Sequence, residues 1–166
     1  MDLVIGDPLH GRVEISVDRE RGVIDVRSSS LPDTTMMRRE GSVAGDPSPI
    51  GTRDPQQIIL TVGNESGRVV PGTGFATRRS YRVDVEFCDA SYVFAPVSES
   101  LTRFTRNGAE LAVFERAPMG SITASWASRT ALTPGEAALG YALVGAYGVG
   151  SPGMLKSIIG HGGSPF

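Results

Sequence analysis

The stretch Thr133-Pro134-Gly135-Glu136-Ala137-Ala138-Leu139-Gly140-Tyr141-Ala142-Leu143-Val144-Gly145-Ala146-Tyr147-Gly148 constrains this chain more than any other. Thr133 is placed to cap a helix, Pro134 suits its first position, and Glu136 completes a capping box by reaching back to the cap nitrogen. Leu132 and Ala137 occupy the hydrophobic-staple positions. The pattern predicts a helix over 133–148, with Ala138, Ala142 and Ala146 as a stripe of small residues and Leu139, Leu143, Val144 and Tyr147 on the neighbouring faces. No face of it is polar, so it must be enclosed by protein or by lipid.

The uncharged run from Ala137 to Leu155 reaches the ~18 residues of a membrane-spanning candidate. Gly148, Gly150 and Pro152 interrupt it. The continuous helix is about 22–24 Å long at ~1.5 Å per residue, short of a ~30 Å hydrocarbon core. Enclosure by protein is therefore expected, and the remaining question is what encloses it.

The rest of the chain reads as strand. Val13, Ile15 and Val17 alternate with polar residues, Arg19 to Gly22 turn, and Ile24 and Val26 return on the same face, giving an amphipathic hairpin over 12–27. Ile58 to Val62 and Arg68 to Val70 flank a turn at 63–67, and Pro71 to Gly74 breaks the pattern. Tyr81, Val83, Val85 and Phe87 point inward from a strand with Arg82, Asp84 and Glu86 outward. A short strand follows at Tyr92 to Ala95. Leu101 to Thr105 and Ala109 to Phe114 are joined by Asn107-Gly108, which favours a tight hairpin because both residues tolerate positive φ. Ser121 to Ala127 reads as the last strand.

Between these lies a polar, Pro-rich segment, 28–56, expected as a long loop or pair of loops with room for a short strand near Met36. The end, 151–166, reads as a Gly-rich tail with a short helix around Leu155–Ile159. The expected fold is mainly β with one buried C-terminal helix (α+β), an antiparallel sheet or barrel curled around the helix at about 133–148, in a single domain over 1–166.

Tyr92-Val93-Phe94, the hairpin from Leu101 to Ala112, Trp126 and Thr133-Pro134-Gly135-Glu136-Ala137-Ala138-Leu139 together resemble the tubby-like superfamily, which includes the LURP-one-related proteins and the phospholipid scramblases. The resemblance covers about the last half of the chain and rests on the order of elements. It implies a barrel around a central helix and contact with lipid head groups or a membrane surface. The Pro-rich 28–56 segment and the tail depart from that pattern and leave strand count and barrel closure open.

A formal net charge of −2 gives no electrostatic case for nucleic-acid binding. Nearly all the basic residues are arginine, Lys156 being the only lysine, as a GC-rich coding genome produces. A single cysteine and an N-terminus without a basic, apolar leader make the reduced cytoplasm, or the periphery of a membrane, the expected location. His10 and His161 share no zinc spacing with Cys88, so no metal and no cofactor is expected. Cys88, directly after a strand, is expected as a buried, inert thiol. Gly67 to Thr73 echoes a phosphate loop but lacks its lysine and a following helix, and reads as a turn. No catalytic residue stands out.

One constellation points to a ligand. Met36-Met37-Arg38-Arg39 and Arg78-Arg79 with Arg82 combine flexible apolar groups with guanidinium forks, a pairing suited to a lipid surface and its phosphates. Arg38, Arg39, Arg78, Arg79 and Arg82 are the candidate anion or lipid contacts, and Met36 and Met37 the candidate membrane contacts. The expected function is a non-enzymatic binding or scaffold module contacting lipid head groups. An assembly protein that docks its 28–56 loop and tail on copies of itself or on a protein partner is the alternative, and an enzyme with a barrel-end pocket the third.

Overall fold

In the computed structural model, which describes residues 1–127 and 132–152, eleven strands precede one helix. The strands are β1 (Asp2–Asp7), β2 (Gly11–Asp18), β3 (Val23–Arg27), β4 (Thr34–Arg38), β5 (Ile58–Val62), β6 (Glu65–Pro71), β7 (Val83–Phe87), β8 (Ala90–Pro96), β9 (Leu101–Arg106), β10 (Ala109–Arg116) and β11 (Ile122–Trp126), and the helix is α1 (Pro134–Tyr147). Each strand pairs antiparallel with the next, so sheet order equals chain order. Alternation does the rest: Val13, Ile15 and Val17 of β2 are buried while the residues between them are exposed.

An up-and-down sheet with an odd number of strands brings its first and last strands together running the same way. β1 and β11 approach with Cα atoms within 8 Å but form no ladder, and the result is a nearly closed barrel around α1. The two edges are instead joined by side chains, Trp126 Nε1 donating to Asp7 Oδ2 at 2.7 Å.

The helix begins as its sequence dictates. Thr133 Oγ1 accepts from Glu136 N at 3.2 Å, Glu136 Oε1 accepts from Thr133 N at 2.9 Å, and Gly148 ends the helix at φ 76°. Every residue from Glu136 to Ala146 is buried. Its axis lies close to β2 and β3 because Gly145 has no side chain: a Cβ there would stand 2.5 Å from Ile24 Cγ2 and 2.7 Å from Ile15 Cγ2. The wider gap toward β8–β11 is filled by Phe94, Phe104, Phe114 and Tyr141, with Phe114 and Tyr141 ring centres 5.7 Å apart. Among the described residues no helix is long and apolar enough to cross a membrane.

Several local readings change. β1 was not expected as a strand. The 28–56 segment is the pair of loops that the sequence allowed, and the short strand near Met36 is β4, with Thr34, Met36 and Arg38 buried. The second loop returns across the barrel end, where Ile50 is fully buried and its N–H donates to Ala146 O at 3.3 Å. Val62 pairs directly with Glu65, which shortens the expected 63–67 turn to Gly63-Asn64; the strand expected at Arg68 to Val70 forms and extends over Glu65–Pro71, so most of the Gly67 to Thr73 phosphate-loop echo is strand and not turn. Tyr81 belongs to a 3-10 turn at Arg78–Tyr81 and not to the strand that follows. The Asn107-Gly108 hairpin forms as expected, with φ of 48° and 86°. Cys88 is exposed, not buried, because Cys88-Asp89 makes a second tight hairpin turn with φ of 48° and 61°. The predicted helix at 155–159, His161 and most of the predicted tail lie outside the described residues.

Candidate functional site: the barrel end beside the helix C-terminus

The ends of α1 meet different environments. At its N-terminal end Glu136 is saturated: besides the cap nitrogen it accepts from Tyr92 Oη at 2.8 Å and Arg106 Nη1 at 2.7 Å. Burial opposes ionisation of Glu136, but these donors together outweigh it and hold the carboxyl below its ordinary range. Asp7 behaves alike. Burial is again opposed, here by donation from Tyr141, Trp126 and the Leu9 and His10 amides, and the carboxyl stays below its ordinary range. Both carboxylates are absorbed in holding the helix and the barrel seam.

The C-terminal end of α1 is where the interior opens. A cavity of about 590 Å³ lies there, walled by Leu3, Val17, Phe94, Ile122, Val144 and Val149 and bordered by Arg19, Arg53, Arg116 and Asp46. The chain leaving α1 is pinned at its rim, Gly150 N donating to Thr102 Oγ1 at 2.7 Å and Ser151 N to Ser98 O at 3.0 Å. Arg19 and Arg116 are exposed and anchored through backbone carbonyls, Arg116 Nη2 donating to Glu99 O at 2.7 Å.

Arg53 is the most constrained of these cations. Its guanidinium carbon stands 5.1 Å from the centre of the Tyr81 ring and 5.0 Å from that of Tyr147. Both distances are within cation–π range. The side chain is only 11% exposed, and Nε lies 3.3 Å from Asp46 Oδ1, at an angle that leaves the buried N–H without a hydrogen bond among the described residues. Tyr147 is fixed in turn by donating to Thr52 O at 3.0 Å, and burial raises its phenol far above the ordinary range, so the ring next to Arg53 stays neutral. Arg53 and Asp46 also line a second hollow of about 610 Å³, together with Ser42, Thr52, Asp54, Gln57 and Thr73.

The structure does not gather the arginines singled out in the sequence into one patch. Arg38 is buried, its Nη1 donating to Ile50 O at 2.8 Å and its Nη2 to Glu20 O at 2.9 Å. Gly22 and Gly51, both at positive φ, make room for it: a Cβ would lie 2.7 Å and 2.2 Å from Arg38 Nη1. Met36 is core, and Met37 lies half-buried on the opposite face of β4. Neither Met36 nor Arg38 has surface to offer a bilayer. Arg39 is exposed and holds Gln56 O at 3.1 Å; Arg82 is exposed and pairs with Asp84 at 2.8 Å; Arg79 is exposed. Arg78 is exposed, and its Nε donates to Oγ of Ser151, a residue of the cavity lining, at 3.4 Å. Arg53, Tyr81, Tyr147 and Asp46 were not read as a site. Among the described residues no three potential ligands are grouped to hold a metal.

Comparison of the chain with known protein families, with curated proteins and with solved structures gives no match.

Proposed function

We propose that the protein is a non-enzymatic binding module that takes an amphipathic organic anion, of the lipid kind, in the barrel-end cavity beside the C-terminus of α1. The observation that carries this reading is Arg53, a guanidinium clamped between two tyrosines at the border of an apolar cavity. Apolar walls favour a hydrocarbon, and a desolvated, oriented cation favours a carboxylate or phosphate. The cavity volume falls within the ~300–1,000 Å³ common for small-molecule sites. Three arginines against the one carboxylate of Asp46 set the sign of the charge it selects.

Calorimetric titration with decyl phosphate below its micelle concentration, with 1-decanol as the neutral control, tests this. Saturable binding of the phosphate is expected, weakened about 10- to 100-fold in Arg53→Met, the value of one or two charge-assisted hydrogen bonds. Arg53→Lys keeps the charge and should retain part of the affinity. Equal binding of decanol, or equal affinity in Arg53→Met with its circular dichroism unchanged, would remove the reading.

A further inference from the structure

Arg53 and Asp46 line both hollows, the apolar one under α1 and the polar one across the 42–57 loop. We infer that the site has two chambers, and that its ligand is a single-tailed anionic amphiphile whose acidic group sits at Arg53 and joins an apolar chain to a hydroxyl-bearing head. This rests on the binding reading above and adds what the ligand must carry on each side of its charge.

The walls differ in balance: the helix side is mainly apolar, with Ser48, Thr102 and Ser151 among its lining, and the loop side is mainly polar, with Asp54 among its lining. On the helix side Val17, Phe94 and Val144 offer no hydrogen bond from their side chains. On the loop side Ser42, Thr52, Gln57 and Thr73 present hydroxyl and amide groups, which match alcohols and not hydrocarbon. Between them stands the Arg53 guanidinium, which lines both hollows and whose Nε has only the Asp46 carboxylate, at 3.3 Å and without hydrogen-bond geometry, as its partner among the described residues, so an anionic oxygen meets a cation where the two chambers share their lining. Size limits the tail to one. At ~30 Å³ per water-sized group, 590 Å³ holds on the order of 20 such groups, enough for one acyl chain and too few for two long ones.

Asp46 sharpens the assignment. Its carboxylate already faces Arg53 at 3.3 Å, so an arriving anion shares the guanidinium with it and is repelled by it. Replacing Asp46 by Asn removes that repulsion and should tighten binding of every anionic probe.

The test compares three probes on the intact chain: decyl phosphate (tail and charge), sn-glycerol 3-phosphate (charge and head) and a C12 lysophosphatidylglycerol (all three). The lysolipid is expected to bind at least about fivefold more tightly than decyl phosphate, the gain of one net hydrogen bond in the polar chamber. Thr73→Trp, at an exposed position, should fill that chamber and cancel the difference while leaving decyl phosphate unaffected. Thr73→Ser is the control that keeps the hydroxyl. Equal affinity for lysolipid and decyl phosphate, or equal losses for both in Thr73→Trp, would overturn the two-chamber assignment and leave the apolar-anion reading standing. Glycerol 3-phosphate binding as tightly as the lysolipid would overturn the tail. Failure of all three probes to bind would take down both.

Discussion

Trp126 on the last strand and Tyr141 on the helix donate to the same oxygen, Oδ2 of Asp7 on the first strand. The other oxygen accepts from the Leu9 and His10 amides at 2.7 and 2.9 Å. One carboxylate thus joins the two unpaired edges of the barrel to the element inside it, in place of the ladder that β1 and β11 lack.

Asp7→Ala should therefore act on the whole barrel. It leaves a part-buried indole N–H and a buried phenol without their acceptor, at a cost of about 2–3 kcal/mol. Tyr141→Phe removes one donor and no acceptor and should cost about 1 kcal/mol. Urea unfolding gives both values. Hydrogen exchange locates the effect, with amides of β1 and β11 exchanging faster in Asp7→Ala and those of β6 and β7 unchanged. An alanine variant as stable as the parent would show that the seam does not need this joint.

Acid should destabilise the fold through two named groups. Asp7 and Glu136 have ordinary values of 3.8 and 4.5 and are both held lower in the folded protein. A depressed folded value means that the contribution is fully present above the ordinary value and lost as pH falls through the folded one. Stability from these groups should be flat above about pH 5 and decline below about pH 4. In Glu136→Gln the neutral amide stands where the acid form would. The stability gap between parent and variant should be open at pH 7 and close as pH drops below 4; a gap independent of pH would assign the cost to shape alone.

Arg38 separates a structural from a surface arginine. Arg38→Met strands Ile50 O inside the barrel end, also removes the part-buried bond to Glu20 O, and should cost about 1–3 kcal/mol. Arg39→Ala, one residue on and exposed, should stay within about 0.5 kcal/mol. Thermal melts of the two variants measure the contrast directly, and comparable melting temperatures would mean that Arg38 is not the anchor of the 42–57 loop.

What could be read in the sequence depended on how local its cause was. The capping box of α1 spans four consecutive residues, Thr133 to Glu136, so the helix start was legible, as was the Asn107-Gly108 turn. β4 was legible only as a short strand near Met36, because two of its inward positions carry Thr34 and Arg38, polar residues that break the expected alternation and are satisfied by Pro32 O, Ile50 O and Glu20 O. Cys88 misled because a tight turn normally advertises itself with Gly or Asn, and Cys-Asp does not. β1 buries Ile5 and Asp7, so one of its two inward positions is charged, and its latch partner Trp126 is 119 residues away. The Arg53 clamp is of the same kind: its tyrosines come from a 3-10 turn and from the last residue of α1, and no spacing in the chain announces that they converge.

The two inward glycines of α1 should respond oppositely to the same change. Gly to Ala inside a helix gains about 1 kcal/mol of propensity. At Gly140 the new methyl would stand 3.1 Å from Phe114 Cζ and 3.2 Å from Phe104 Cε2, and small ring shifts can relieve that contact. Gly140→Ala should be within about 1 kcal/mol of the parent, the propensity gain offsetting the crowding. At Gly145 the methyl would meet Ile24 Cγ2 at 2.5 Å and Ile15 Cγ2 at 2.7 Å. Those branched side chains are fully buried on paired strands, with one strongly preferred χ1 and no space to withdraw into. Overpacking of about 1–3 kcal/mol then exceeds the propensity gain, and Gly145→Ala should be destabilising by about 1–2 kcal/mol net. Ile24→Ala in that background removes the Cγ2 that meets the new methyl and should recover part of the loss, whereas the same change alone costs about 2–5 kcal/mol. Urea midpoints of the four proteins form a double-mutant cycle, and strict additivity would mean that α1 does not approach β2 and β3 as closely as the glycine requires.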